Sequence, residues 1–140
     1  MEKLYQTSAI AVGGRDGHVR SADGIIDMDL RTPAAMGGKG GATTPEDLFA
    51  AGWAACFNGA LNLAIRLNRI RPAGDVTVKV AVTLGKTEAG DFQLAGDIEA
   101  TIPGVDQQTA GKLVEQAHTI CPYSRATHGN IEVKLTAKTE

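Results

Sequence analysis

Apolar and polar residues alternate in three short stretches within the first 31 residues. The stretches "LYQTSAIAV", "HVRSA" and "IIDMDLR" are separated by the turn sequences "GGRDG" and "ADG". Alternation with a period of two is typical of strands that bury one face, and glycines between them favour tight turns. The pattern predicts a small antiparallel meander. It is followed at residues 33–42 by a mobile loop, in which four glycines allow close approach of the backbone to a neighbour.

A long helix is predicted after this loop. Its start is marked by "TTPEDL", with Thr44 as the N-cap and Pro45 as the first helical residue. Glu46 and Asp47 follow as first-turn acids near the positive end of the helix dipole. The helix is expected to continue to about Ile70, because an Arg-Pro pair follows.

The second half of the chain combines a hairpin, a second helix and a strand. Alternating stretches at residues 75–86 and 92–102 flank the turn "EAGD" and predict a hairpin. Residues 106–121 place apolar side chains on one helical face, and this amphipathic helix is expected to stop at Pro122. Residues 130–138 predict a closing strand.

The order of these elements predicts one α+β domain over residues 1–140, with mostly antiparallel sheets. A helix over residues 44–70 is about 40 Å long at 1.5 Å per residue. That length exceeds what a compact domain of 140 residues comfortably covers. We therefore expect another subunit to cover part of this helix.

Charge and hydropathy exclude two classes of partner. The chain has 14 Lys and Arg against 16 Asp and Glu, without a dense run of either sign, which argues against nucleic acid and anionic membrane surfaces. The start of the chain lacks the features of a secretory signal. The longest weakly polar run, residues 48–59, is shorter than the roughly 20 residues of a membrane span. We expect a cytoplasmic protein without a membrane segment.

One cysteine lies in the middle of the long predicted helix. Cys56 shares a helical face with Gly52, Gly59 and Leu63, and this stripe of small residues lets a second helix or a loop pack close to the backbone. A free cysteine in such a contact is often only a small buried hydrophobe. Packing alone is therefore one interpretation of Cys56.

The other cysteine, Cys121, lies in "HTICPYS" at the end of the second helix, where the negative end of the helix dipole does not favour a thiolate. A reactive Cys56 needs a cation from elsewhere in the fold, since an unperturbed thiol is only a few per cent ionised at neutral pH. Guanidinium groups are the most dependable source of that charge. The candidates are Arg15, Arg20, Arg31, Arg66, Arg69, Arg71 and Arg125, of which Arg15 stands apart on the tight turn "GGRDG".

Two further interpretations start from the same residues. His118 and Cys121 are three residues apart and, with Cys56, offer part of a metal site, although His18 and His128 lie on separate turns. Alternatively, the protein is a non-catalytic binder of lipid-like molecules in which the cysteines only pack. That interpretation predicts ligand binding that survives alkylation of Cys56.

Three motifs together resemble a known family. "GGRDG", "TPEDLFAAGWAACF" and "CPYSRATHGNIEV" are similar, in order and spacing, to the organic hydroperoxide resistance (Ohr) branch of the Ohr/OsmC family. The resemblance implies an OsmC-like fold with a long central helix, and an intertwined homodimer with two active sites at the subunit interface. It also implies an antioxidant enzyme of the oxidative stress response, a thiol-dependent peroxidase that reduces organic hydroperoxides, preferably fatty-acid ones, to alcohols.

The resemblance also implies roles for individual residues. Cys56 is expected to be the peroxidatic cysteine and Cys121 the resolving one, while Arg15 and Glu46 complete the catalytic site. Arg15 holds Cys56 ionised, and Glu46 holds the guanidinium through a bidentate pair. Sulfenic acid on Cys56 then condenses with Cys121 to a redox-active disulfide. An OsmC-branch peroxidase, with its arginine from another position, is the alternative, and Arg15 on its early turn favours the Ohr branch.

The expected reductant is a dithiol, dihydrolipoamide or a lipoylated protein, which acts as a co-substrate, and no bound cofactor or metal is expected. Selectivity for organic hydroperoxides requires apolar walls near the reactive thiol. Met36, Phe49, Phe57 and Tyr123 are the candidate substrate contacts. The glycine-rich loop at residues 37–41 is expected to cover the pocket.

Overall fold

Two three-stranded sheets, one in each half of the sequence, form the β part of the structure. The computed structural model describes residues 1–140. The chain clusters into two compact units, Met1–Leu48 and Phe49–Glu140, whose boundary falls within the long helix. The organisation as one domain stays a prediction. The mixed α+β class is confirmed.

The first unit contains the predicted meander. Strands β1 (Ala9–Val12), β2 (His18–Ser21) and β3 (Asp27–Asp29) pair antiparallel in sequence order. A 3-10 turn, Gly14–Asp16, joins the first two strands. The turn needs glycine at position 17, where a Cβ atom would lie 1.7 Å from the carbonyl oxygen of Val12.

The glycine-rich segment after β3 is held by backbone hydrogen bonds. Residues Ala34–Met36 form a second 3-10 turn. The carbonyl oxygen of Thr32 accepts the N–H of Gly40 at 3.0 Å, and a Cβ atom at Gly38 would lie 2.1 Å from the same oxygen. The close approach expected of these glycines is therefore made to Thr32 of the same unit.

Helix α1 (Pro45–Leu67) contains 23 residues and starts where the sequence predicts. Thr44 Oγ1 accepts the N–H of Asp47 at 3.1 Å, and Asp47 Oδ2 accepts the N–H of Thr44 at 2.9 Å. Each side chain thus pairs a backbone N–H that has no partner within the helix. The helix ends three residues before the predicted Ile70. The reason is Arg69, whose positive φ of 55° terminates the helical backbone.

The second unit contains the predicted hairpin of β4 (Thr77–Lys86) and β5 (Phe92–Thr101). Helix α2 (Gln107–Ile120) follows, and β6 (Glu132–Lys138) then pairs parallel to β5. A short helix that the sequence analysis did not predict, α3 (Pro122–Thr127), lies between α2 and β6.

The hydrophobic core of the second unit lies between its helices and its sheet. By length and composition α1 is also apolar enough to cross a membrane, but it is a core helix here. Its buried side chains are Trp53, Phe57, Ala60, Leu61, Ala64 and Ile65, which pack with α2 and β5 residues such as Leu113 and Ile98. This packing fixes the helix that carries Cys56.

Candidate active site

Cys121 forms the corner between two helices. It is the C-cap of α2, where its N–H donates to the carbonyl oxygen of Ala117 at 2.8 Å. It is also the N-cap of α3, where its own carbonyl accepts the N–H of Arg125 at 3.0 Å. Pro122 ends α2 as predicted and begins α3, because proline suits the first position of a helix. Cys121 therefore meets the positive end of α3 as well as the negative end of α2.

The structure brings the two cysteines together. Sγ of Cys56 and Sγ of Cys121 lie 3.4 Å apart, and both are free thiols. A disulfide bond is about 2.05 Å long, so the two sulfurs are in contact but not bonded. Cys121 is fully buried, whereas Cys56 is partly exposed. A reagent from solution therefore reaches Cys56 first.

The surroundings of Cys56 favour its neutral form. Burial raises the pKa of the Cys56 thiol, and the hydrogen-bonding contact with Cys121 raises this pKa further. A hydrogen bond from the backbone N–H of Tyr123, in the first turn of α3, lowers the pKa but does not reverse the net direction. The thiol is therefore protonated at neutral pH unless positive charge is brought to it.

Three contacts hold α3 against α1. Nε1 of Trp53 donates a hydrogen bond to Oγ of Ser124 at 3.2 Å, and both side chains are buried. The ring of Tyr123 lies over Gly52, where a Cβ atom would be 3.2 Å from Cε2 of the ring. Phe49 stacks on Tyr123 with ring centroids 6.3 Å apart. The small-residue stripe on α1 thus accepts α3 at its Gly52 end.

Sequence reasoning missed Ser124 and the seating of Tyr123 on Gly52. A signal for Ser124 was present, because a serine that follows a proline by two residues can occupy the first turn of a new helix. The predicted partner of Gly52 was only a helix or a loop, since spacing along one helix does not identify the element that packs on it.

The first unit contains the predicted bidentate ion pair. Nη1 of Arg15 lies 2.7 Å from Oε2 of Glu46, and Nη2 lies 2.6 Å from Oε1. These hydrogen bonds lower the pKa of the Glu46 carboxyl and raise the pKa of the Arg15 guanidinium. The Arg15 backbone is fixed by the turn, whose Asp16 carboxylate accepts two hydrogen bonds from Thr32. Glu46 opens the same helix that carries Cys56.

The other candidate arginines lack such a pair. Arg20 and Arg31 lie 3.8 and 3.9 Å from carboxylates of the first sheet. The remaining four make no ion pair. Arg15 is thus the one candidate held in a bidentate geometry.

The four candidate substrate contacts fall into different surroundings. Phe49 on α1 stacks against Tyr123 on α3, and Tyr123 is 42% exposed. Phe57 is fully buried against His118, with ring centroids 6.4 Å apart. Met36 is about half exposed on the second 3-10 turn of the first unit. The role of each in substrate binding stays a prediction.

His118 does not join a group of ligating side chains. No three His, Cys, Asp or Glu side chains converge as a metal site would require. Nδ1 of His118 is buried without a hydrogen-bond partner. Burial is the main cause that lowers the pKa of its imidazole, and the nearby His128 lowers this pKa further. His118 is therefore neutral at physiological pH.

Comparison with known proteins decides the family. Residues 38–136 match the family model described as OsmC-like protein. The chain belongs to the OsmC-like family. An organic hydroperoxide resistance protein-like 2 from Staphylococcus epidermidis is 48% identical over 134 residues, which cover 94% of each chain. An organic hydroperoxide resistance protein from Xanthomonas axonopodis pv. citri is 42% identical and covers 95% of this chain and 94% of its own.

A solved structure of this OsmC-like family has the same fold. The organic hydroperoxide resistance protein from Elizabethkingia anophelis, crystallised with thiocyanate bound, superimposes with a TM-score of 0.94. It is 47% identical, and the match covers 100% of both chains. The resemblance to the organic hydroperoxide resistance branch is therefore confirmed, and so is the OsmC-like fold.

Proposed function

We propose that this protein is a thiol-dependent peroxidase that reduces organic hydroperoxides, preferably those of fatty acids, to alcohols in the cytoplasm. The observation that carries the proposal is the separation of 3.4 Å between a partly exposed and a buried thiol. Cysteines 65 positions apart in sequence have no need of such proximity for packing alone. The names of the relatives support organic hydroperoxides as the substrate class.

The first step oxidises Cys56. Its thiolate attacks the distal oxygen of the hydroperoxide, so that an S–O bond forms as the O–O bond breaks and Cys56 becomes a sulfenic acid. The leaving alkoxide takes a proton from water to become the alcohol. Arg15 supplies the positive charge that ionises Cys56 and stabilises the developing alkoxide, and Glu46 orients the guanidinium. This charge is needed because the surroundings of the thiol raise its pKa.

The second step forms a disulfide. Cys121 attacks the sulfur of the Cys56 sulfenic acid, water leaves, and the two sulfurs become bonded. A dithiol such as a dihydrolipoyl group then reduces this disulfide by two exchanges and is itself oxidised to its cyclic disulfide. The second exchange is intramolecular and therefore fast. A lipoylated protein is accordingly the proposed reductant.

Substrate selectivity depends on apolar surface beside Cys56. Phe49 and Tyr123 offer such surface in the second unit, and Met36 is a further candidate, whereas the Phe57 side chain is fully buried and has no surface to offer. An alkyl chain gains about 25 cal/mol for each Å² removed from water, whereas hydrogen peroxide has no apolar surface to bury. The preference for organic substrates follows from that difference.

A homodimer is the proposed assembly, with active sites at the subunit interface. Leu30 is the only buried hydrophobic side chain among the first 48 residues. Ile10, Val12 and Ile25 are each more than 70% exposed. A sheet with this much exposed apolar surface is typical of a protein that buries it against another chain. Light scattering on the purified protein tests the expected dimer mass.

The test of the peroxidase is hydroperoxide consumption with dihydrolipoamide as the reductant. A fatty-acid hydroperoxide and hydrogen peroxide are compared for the wild type, Cys56→Ser, Cys121→Ser, Arg15→Ala and Arg15→Lys. We expect turnover with the organic substrate, no activity in Cys56→Ser, and a loss of about a hundredfold or more in Arg15→Ala. Arg15→Lys keeps the charge without the bidentate geometry, so an intermediate rate is expected.

Other outcomes identify the alternatives. An active protein in which Arg15→Ala keeps the full rate points to the OsmC branch, where the arginine comes from another position. An inactive wild type that binds fatty acids after alkylation of Cys56 is a lipid-binding protein. Either result rejects the mechanism proposed here.

A further inference from the structure

The position of Cys121 depends on a helix that cannot be stable alone. Helix α3 has six residues, and isolated helices of this length do not form in water. Cys121 is its N-cap, so any displacement of α3 moves the thiol that faces Cys56. Cys121 is held on its other side as the C-cap of α2, so the tertiary contacts of α3 contribute to the separation of the two sulfurs together with α2.

One of these contacts is a buried directional bond. Trp53 and Ser124 are 0% and 1% exposed, and the indole N–H donates to the hydroxyl oxygen at 3.2 Å. It is the one hydrogen bond between a side chain of α1 and a side chain of α3, beside the backbone N–H of Tyr123 that bonds the Cys56 thiol and the contact between the two thiols. Packing contacts allow sliding, whereas a hydrogen bond fixes a direction and a distance.

The donor side of this bond is itself fixed. A Cβ atom at Gly96 of β5 would lie 2.9 Å from the Trp53 ring, so the indole occupies the space that glycine leaves free on the sheet. Phe49 packs edge-on against the same indole, with ring centroids 5.4 Å apart. The indole N–H therefore points from a rigid support toward α3.

The two partners of this hydrogen bond, Trp53 and Ser124, each lie three residues from a cysteine in the sequence. Trp53 precedes Cys56 by three residues, which is nearly one helical turn on α1. Ser124 follows Cys121 by three residues in the first turn of α3. The Trp53–Ser124 hydrogen bond and the contact between the two thiols therefore connect the same turn of α1 to the first turn of α3.

We propose that the hydrogen bond from Trp53 to Ser124 positions Cys121 for disulfide formation with Cys56. The inference rests on the proposed function, in which that disulfide is the intermediate. Trp53 and Ser124 touch no reacting atom, so both are positioning residues. They set the effective concentration of Cys121 at Cys56 and leave the first oxidation step unchanged.

The test measures the thiol–disulfide equilibrium without any peroxide. The protein is equilibrated in glutathione redox buffers, where the two thiols and glutathione disulfide give the protein disulfide and two glutathione molecules. Acid quenching, alkylation and mass spectrometry give the equilibrium constant. Trp53→Phe removes the donor and keeps an aromatic ring, Ser124→Ala removes the acceptor, and the double variant removes both. Ile102→Val, at a fully buried position directly after β5, is the control for general loss of stability.

We expect each single variant to lower the equilibrium constant about three- to tenfold, the range that corresponds to one hydrogen bond. The double variant should lose no more than the larger single effect, since both changes remove the same bond. Ile102→Val should match the wild type. Equal constants in all variants, additive losses in the double variant, or a wild type that forms no disulfide overturn the proposal.

A kinetic measurement separates this proposal from the proposed function. After one equivalent of a fatty-acid hydroperoxide, the rate of thiol loss at Cys56 should be unchanged in Trp53→Phe and Ser124→Ala. Trapping of its sulfenic acid by dimedone should rise toward the level of Cys121→Ser. If the wild type forms the disulfide in glutathione but does not react with the hydroperoxide, the peroxidase function fails and the positioning role stands. A slower first step with no rise in trapping overturns the positioning role.

Discussion

Substitution of Gly52 by alanine tests the packing of α3 on α1. Alanine is favoured over glycine inside a helix by about 1 kcal/mol. At this position, however, the new Cβ atom would lie 3.2 Å from Cε2 and 3.4 Å from the hydroxyl oxygen of Tyr123. The ring must retreat by a few tenths of an ångström, which weakens its stacking on Phe49.

The two effects oppose each other in the same residue. Loss of an aromatic contact costs about 0.5–1.5 kcal/mol, which offsets the helix-propensity gain. We therefore expect the free energy of unfolding of Gly52→Ala to lie within about 0.5 kcal/mol of the wild-type value. Gly111→Ala is the matched control, because Gly111 lies inside α2 and a Cβ atom there would meet nothing within 4 Å. That variant should gain the full propensity term of about 1 kcal/mol.

Urea denaturation followed by circular dichroism provides these free energies of unfolding. A second comparison introduces Gly52→Ala into the Tyr123→Ala variant, in which no aromatic ring contacts the new methyl group. In that background the substitution should stabilise as much as Gly111→Ala does. If Gly52→Ala is already as stabilising as Gly111→Ala in the wild-type background, the Tyr123 ring does not press on Gly52 and the reasoning is refuted.

Two further predictions concern pH. The hydrogen bonds from Arg15 lower the folded-state pKa of Glu46, so this pair contributes stability above the unfolded pKa that is lost as pH falls through the folded value. Glu46→Gln should have a free energy of unfolding about 1 kcal/mol lower than that of the wild type at pH 7, and this difference should shrink as pH falls below the unfolded pKa of Glu46. A constant difference in urea titrations would contradict this. Hydrogen bonds to Asp29 and Asp27 raise the folded-state pKa of His18, so its contribution is complete below the unfolded pKa and disappears as pH rises through the folded value. His18→Gln should therefore be less stable than the wild type at pH 5.5 and indistinguishable at pH 9, and a deficit that grows with pH would disprove the assignment.

Local sequence patterns were enough to predict most elements. The meander and the hairpin follow from alternation with a period of two, and the start of α1 follows from Thr44 and Pro45. The end of α1 was placed three residues late because nothing in the sequence marks the left-handed backbone of Arg69. The parallel direction of β6 was also beyond prediction, since an alternating pattern reads the same in both directions.

The site was harder to predict where two local rules conflict. Pro122 ends one helix and starts another, and six residues are too few to show helical periodicity, so α3 was missed. Family resemblance supplied the pairing of Arg15 with Glu46 and of Cys56 with Cys121, for which no local pattern exists. Phe57 adjoins Cys56 in sequence, yet one residue turns a helix by about 100°, and its side chain lies in the core.

The parallel pairing of β6 with β5 has a consequence for folding. Two parallel strands need a crossover connection, and here that crossover contains both α2 and α3. Contacts between residues distant in sequence form late, because the entropy of loop closure opposes them. Cys121 lies in this crossover and Cys56 lies 65 positions earlier on α1, so the two meet when both α1 and the crossover are packed in the second unit. In an unfolded chain no local structure holds the two thiols together, so their close approach is a property of the folded second unit.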